Sequence, residues 1–272
     1  MPINYFYEPD CLNLNQEARL NCIPPNWLAH CIKKLFQKKQ SKNAEKHRAN
    51  KEIINQITTK LQDIKEQINW KQNLLEASFV IFDSETTGLD PLRGDKVISL
   101  SGVILENGAV KTDAVFDKLI DPMRSVPPRS TSITGITDSM VSNAPTLFEV
   151  LPEFLDFIDN KILVAHYAPF DMAFLNIELG RHAPLRIHNP VIDTCLLARN
   201  ILPGIPGYSL DSLLKKFNIK IEGRHTALGD SLMTAQLFIK LLEKLAEKEI
   251  FTLEQLRCFL AGREGNGKAA LD

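Results

Sequence analysis

The chain has 272 residues, 44% of them hydrophobic and 24% charged, with 32 Lys and Arg against 33 Asp and Glu. This composition supports a packed core and excludes a wholly disordered chain, and the length suits one large domain or a domain with an extension. The near-zero net charge hides an asymmetry. Residues 1–78 hold 12 basic and 8 acidic side chains, and residues 79–272 hold 20 and 25, so the first part stands at +4 and the rest at −5. No apolar run approaches the roughly 20 residues of a membrane span, and Met1-Pro2-Ile3-Asn4-Tyr5 lacks the basic and apolar regions of a secretory signal. The five cysteines, Cys11, Cys22, Cys31, Cys195 and Cys258, form no Cys-x-x-Cys pair. They read as reduced thiols of a cytoplasmic protein, and Cys22, His30 and Cys31 fit no familiar zinc spacing.

In chain order, residues 1–25 are irregular and end in Pro24-Pro25, after which Asn26 is placed to cap a helix beginning at Trp27. From there to Leu75 the chain contains neither Pro nor Gly. Residues 31–51 form its most basic stretch, and Ile54, Ile57, Leu61, Ile64 and Ile68 recur at spacings of three and four, continued at Leu75. That spacing predicts one long helix, or two, with a single apolar stripe. The stripe can lie on the domain's own surface or pair with another helix. Residues 1–77 are therefore expected to form an N-terminal basic, helical extension.

From residue 78 the pattern alternates between strands and helices. Phe79–Asp83 reads as a buried strand. Val97–Leu105 and Ala109–Ile120 read as a hairpin about Glu106-Asn107-Gly108. Residues 121–145 read as a Pro-, Ser- and Thr-rich connection, and Thr146–Ile158 as a helix. Lys161–Ala165 is a short strand, Pro169–Arg181 a helix with Pro in its first turn, and Val191–Asp193 a short strand. Ser209–Phe217 and Leu228–Lys248 are further helices. The expectation is an α/β domain over residues 78–250, a mixed sheet flanked by helices, followed over 251–272 by a short helix and a polar tail.

The chemistry concentrates in a few segments. Side chains alternate across a strand, so Asp83 and Glu85 point to the same side at the end of a buried run. Two converging carboxylates there are costly unless a cation compensates them, and hard divalent cations prefer oxygen ligands. In Ala165-His166-Tyr167-Ala168-Pro169-Phe170-Asp171, Asp171 falls in the first turn of a helix, where an acid also gains from the macrodipole. In His225-Thr226-Ala227-Leu228-Gly229-Asp230 the histidine reads as a loop residue and the aspartate as helical. Ile133-Thr134-Gly135-Ile136-Thr137 reads as a turn.

Asp83, Glu85, Asp171, His225 and Asp230, in this order and with these flanks, resemble the DnaQ-like 3′–5′ exonuclease family, the DEDDh branch of the ribonuclease-H-like superfamily. The resemblance covers about Ser78 to Leu245, and the proofreading subunits of bacterial replicative DNA polymerases are its most similar members. It implies a ribonuclease-H-like mixed β-sheet and a 3′→5′ exonuclease that releases nucleoside 5′-monophosphates with two divalent cations, Mg²⁺ or Mn²⁺. By the same resemblance Asp83 would bridge both ions, Glu85 and Asp230 would hold the one that binds the attacking water, and Asp171 would help hold the other. His225 would be the general base, since imidazole titrates near neutrality. Thr86, Thr87 and Gly88 would lie at the 3′-hydroxyl, Leu89 would wedge beside the terminal base, Ile133–Thr137, with Ile136 among them, and Phe170 would wall the nucleotide pocket, and His166 would hydrogen-bond within the site or serve the structure. Tyr167 stands where the family often has Asn, and Pro169 where a small or polar residue is common. The implied substrate is a single-stranded 3′ end, DNA over RNA, in proofreading or repair. The implied protein partner is a DNA polymerase or another replication or repair protein, with no membrane involvement. The alternatives are RNA 3′-end trimming or oligonucleotide hydrolysis with the same chemistry, and a non-catalytic nucleic-acid or polymerase-binding module.

Overall fold

The computed structural model describes residues 50–61 and 68–264. The basic stretch before Asn50, the first three cysteines and the seam residue Ile64 lie outside the described residues. Five strands form one mixed sheet: β1 (Phe79–Thr86), β2 (Val97–Glu106), β3 (Ala109–Leu119), β4 (Ile162–Ala165) and β5 (Val191–Asp193), in the order β3-β2-β1-β4-β5. β1 runs antiparallel to β2 and parallel to β4, and β4 runs parallel to β5. The helices are residues 50–61 (α1), α2 (Pro128–Thr134), α3 (Asp138–Val141), α4 (Leu147–Ile158), α5 (Ala168–His182), α6 (Thr194–Ile201), α7 (Leu210–Lys216), α8 (Ala227–Ala246) and α9 (Leu253–Glu264).

The alternation along β1 divides the core. Phe79 and Ile81 join the cluster under α6–α9, where the Phe79 ring meets Phe238 edge-on at 5.0 Å. Val80 and Phe82 join the opposite cluster under α1, α4 and α5, where Phe82 lies 6.0 Å from Phe154. The β2–β3 hairpin turns at Asn107 and Gly108, both at positive φ (52° and 70°), the primed turn that suits strand twist. α4 starts with a capping box between Thr146 and Glu149, which satisfies two orphan amides at once.

Three expectations change. The helix expected to reach Leu75 gives way to turns over residues 70–76. The Asn69 and Asn73 side chains accept from the amides of Lys71 (3.2 Å) and Leu75 (2.9 Å), and such local bonds compete with the helix ladder. Leu74 is consequently buried and Leu75 is 55% exposed. Second, the segment 121–145 contains α2 and α3 rather than only irregular chain. Pro128 opens α2, and Gly135 at φ 73° closes it, as Pro at a helix start and Gly past its end favour. Third, the compact unit begins at Asn50 rather than at residue 78. Ile57 and Leu61 of α1 are buried in the α4–α5 layer, so the described part of the apolar stripe packs on the domain itself. At the other end α9 is also part of the core: Leu253 and Leu256 are buried, and the Leu74 amide bonds to Phe251 O at 2.7 Å.

Ile57→Ala should cost about 2–5 kcal/mol, the range for emptying a buried aliphatic site. Urea unfolding checks this, and a loss under 1 kcal/mol would show that α1 is only laid on the surface.

Candidate active site

The end of β1 gathers acids from both faces of the sheet. Asp83 and Glu85 share the face of Phe79 and Ile81, which α8 covers, and Asp230 in the first turn of α8 meets them there. One carboxylate oxygen from each of Asp83, Glu85 and Asp230 lies within 4.8 Å of the others. Ser84 points to the opposite face, toward α5. Its amide and hydroxyl both donate to Asp171 Oδ1, at 3.0 and 2.6 Å. The structure therefore brings Asp171 to the site but outside the three-acid cluster, with one oxygen already held by the residue between the other two acids.

Burial pushes all four carboxyl groups up. Asp83 is raised well above its ordinary range by burial, then by the charges of Asp171, Asp230 and Glu85. Burial and Asp230 lift Glu85 to about 7. Burial lifts Asp171 to about 7 against the pull of the Ser84 hydrogen bonds. Burial also raises Asp230, opposed by Arg224. Acids that resist ionising together are stabilised as anions by a cation among them. The donor set fits a hard divalent cation: it is all carboxylate oxygen, and Asp230 Oδ1 is buried without a hydrogen-bond partner. Asp83, Glu85 and Asp230 are the residues that would hold it.

His225 sits in the turn leading into α8, exposed and at φ 64°. The turn is closed by the Thr226 hydroxyl and amide on Gly223 O (2.6 and 3.2 Å), and Thr226 Oγ1 then accepts from Gly229 N at 3.1 Å. The His225 backbone lies near enough to Asp230 to oppose, together with Arg224, the burial that raises that acid. Arg224, missed by the sequence reading, pairs with Asp230 and, through Nε at 2.8 Å, with Asp211 of α7. Its signal was only a cation next to the histidine motif.

The remaining expected positions divide between the cavity and its frame. A cavity of about 590 Å³ is lined by the four acids, His225, Thr86 to Leu89, Ile133 and Phe170. Leu89 is 80% exposed at its mouth. The Thr87 hydroxyl is taken up by Asp95 (3.3 Å) and the Lys96 amide (3.0 Å), and its own amide donates to Lys96 O at 2.8 Å, which leaves only its carbonyl to a ligand. Gly88 is required by the same turn, because a Cβ there would lie 2.2 Å from Asp95 Oδ2. Ile136 is turned inward against Ile98, Val126 and Val141. Ile133, in the last turn of α2, faces the cavity instead, because the helix ends at Thr134 and Gly135 at φ 73° turns the chain before Ile136. His166 lines the cavity while its Nδ1 is 2.9 Å from Thr194 Oγ1 and its ring lies near the Tyr208 backbone. Burial holds that imidazole below its ordinary value. Asp193 caps α6 and accepts from the Tyr167 amide at 3.0 Å.

The model of the exonuclease family (RNase_T) matches residues 80–238. The chain belongs to this exonuclease family. It is 38% identical over 178 residues to the DNA polymerase III subunit epsilon of Aquifex aeolicus, a match covering 65% of this chain and 87% of that protein. It is 42% identical over 180 residues to a DNA polymerase III subunit epsilon-like protein of Rhodobacter capsulatus, where the match covers 64% of this chain but 25% of the relative. Among solved structures, exonuclease X in complex with 5′-overhanging duplex DNA aligns with a TM-score of 0.53 and 26% identity, covering 67% of this chain and 99% of that one. The five-stranded mixed sheet is thus the ribonuclease-H-like sheet of this exonuclease family. Among the described residues no helix is long and apolar enough to cross a membrane.

Two outcomes follow for this exonuclease-family site. In Gly229→Ala the new Cβ would fall 2.0 Å from Gly223 O, displacing the turn that carries His225. Misplacement of that order costs about 10²-fold in rate, and nuclease assays beside thermal melts should show activity falling far more than stability. With no cation bound, Glu85 and Asp171 titrate near 7 in the fold, against ordinary values of 4.5 and 3.8. The folded state then binds the extra protons, so their stabilisation is complete below those ordinary values and is lost as pH rises through about 7. Melts in chelator should show Tm falling as pH rises through that window, and a divalent cation should flatten the fall.

Proposed function

We propose that this chain is a 3′→5′ exonuclease that removes nucleoside 5′-monophosphates from single-stranded DNA 3′ ends, in proofreading or repair, with Mg²⁺ as its cation. One observation carries the reading: three carboxylates within 4.8 Å of one another open, beside Asp171 and a histidine on a separate turn, onto a cavity of about 590 Å³. Two divalent cations, when bound, supply an activated water, charge stabilisation on the phosphate and a stabilised leaving oxygen.

The protein's own residues do the rest. His225, exposed beside the acids, accepts the proton of the attacking water. Asp83, Glu85 and Asp230 would hold the cations beside the scissile phosphate, and Asp171 adds to the same negative wall. The backbone of Thr86, Thr87 and Gly88 meets the terminal sugar. Leu89, Ile133 and Phe170 give the terminal base an apolar slot, and stacking of this kind is tolerant of sequence. A DNA polymerase as partner and a cytoplasmic location belong to the same reading, supported by the relatives named as DNA polymerase III subunits.

The test is degradation of matched 5′-labelled single-stranded DNA and RNA. A cation-dependent ladder shrinking from the 3′ end, faster on DNA and abolished by chelator and by Asp83→Ala, is the expected result. His225→Ala should lower kcat by about 10²–10⁴-fold, the usual contribution of a general base, with Tm unchanged. Faster degradation of RNA would move the reading to RNA trimming, and a folded protein without cleavage of either would end it.

A further inference from the structure

A second cavity, of about 420 Å³, adjoins the first across the catalytic acids. It shares Asp83, Asp230, His166, Tyr167 and Arg224 with the first and continues to Arg199 of α6 and Tyr208 before α7. Its volume falls within the roughly 300–1,000 Å³ of small-ligand clefts. None of the motifs singled out in the sequence includes Arg199 or Tyr208.

The chemistry of this cavity is unlike that of the first. The Arg199 guanidinium lies over the Tyr208 ring, 5.4 Å from its centroid. Among the described residues Arg199 is paired with no carboxylate, whereas Arg224 is held by two. Arg199 is exposed on α6, and its polar neighbour Cys195 leaves its charge without a compensating anion among the described residues. Tyr208 is fixed by its hydroxyl, which donates to Leu202 O at 2.7 Å. At the ridge between the cavities Tyr167 is 61% exposed at φ 66°, a conformation uncommon for an aromatic residue. Its amide is held there by Asp193. A guanidinium with no carboxylate partner, set near Cys195 and two tyrosines, one of them rigidly placed, is the chemistry that binds a phosphodiester and stacks a base.

Chain polarity says which nucleotide this is. If the 3′-terminal nucleotide fills the first cavity, the scissile phosphate lies over Asp83 and Asp230. The strand must then leave on the far side of those acids. We propose that the second cavity binds the nucleotide on the 5′ side of the scissile bond, with Arg199 on its phosphate and Tyr208 and Tyr167 beside its base. This inference rests on the exonuclease reading above.

The experiment compares two substrates that differ only beyond the scissile bond: oligothymidylate and the p-nitrophenyl ester of thymidine 5′-phosphate, which has no 5′-side nucleotide. Arg199→Ala should lower kcat/KM on oligothymidylate about tenfold, mainly through KM, and leave the ester unchanged. It should also make the salt dependence of oligonucleotide binding shallower by about one ion. Arg199→Lys, which keeps the charge, should retain the salt slope. Because Arg199 is exposed, an unchanged Tm is expected in both variants. An equal fall on both substrates, or no fall on oligothymidylate, would overturn the assignment. An unsubstituted protein inactive on both would instead overturn the exonuclease reading, and this inference with it.

Discussion

Carboxylates crowded at the end of a buried strand repel one another and give up their hydration, and this one electrostatic conflict governs the arrangement around them. Asp83 carries it most acutely, facing Asp171, Asp230 and Glu85 at once. A purely structural core would not retain such a cluster, because apolar groups of similar volume would be at least as stable. The surrounding protein moderates the conflict without removing it. Ser84 gives Asp171 two hydrogen bonds, and Arg224 gives Asp230 a counter-charge. Neither reaches every acid, so the cluster remains a place that positive charge stabilises.

The sheet makes this cluster possible. β1 lies at the point where antiparallel pairing with β2 meets parallel pairing with β4. Its register shifts between Glu85 and Thr86, which ends regular pairing where the cavity begins. Parallel β4 and β5 release α5 and α6 at the same end as β1, so Asp171 and the Asp193 cap arrive beside its carboxyl terminus. Ligand sites at the carboxyl ends of strands, where strand order reverses, follow from the same geometry in open α/β sheets. The N-terminus of α8 then brings Asp230 onto the face that Asp83 and Glu85 already share.

Close approaches at two glycines hold the turns that carry the exposed His225 and Leu89 side chains. Gly229 lets the turn at Gly223 lie against the first turn of α8, and Gly88 lets the chain fold over Asp95. Asp95 in turn binds the Asp90 amide at 3.1 Å and Arg124 at 3.2 Å. His225 and Leu89 therefore stand exposed on turns whose bases are tightly tied. This combination allows reactive side chains to meet a strand in solvent without being free to wander.

Much of this was legible locally. Period-two alternation set Asp83 and Glu85 on one face, Asn107-Gly108 announced the hairpin, and the expected start of α4 at Thr146 agrees with the capping box formed there. Those features depend on neighbours within a few residues. The turns at Asn69 and Asn73 were also local, but a continuous helical pattern masked them, since side-chain bonds to the backbone leave no periodicity. What needed the tertiary structure was every relation between distant segments. Ser84 holding Asp171, Arg224 bridging Asp211 and Asp230, Ile133 rather than Ile136 facing the cavity, and Arg199 stacked on Tyr208 beside the same acids all depend on which faces the packing turns toward one another. The sequence by itself determined the acids, the histidine and the elements that carry them, because alternation and capping are properties of short stretches. Only the tertiary structure decided which oxygens share a site and which cations face it, because electrostatic and packing energies depend on distances across the fold.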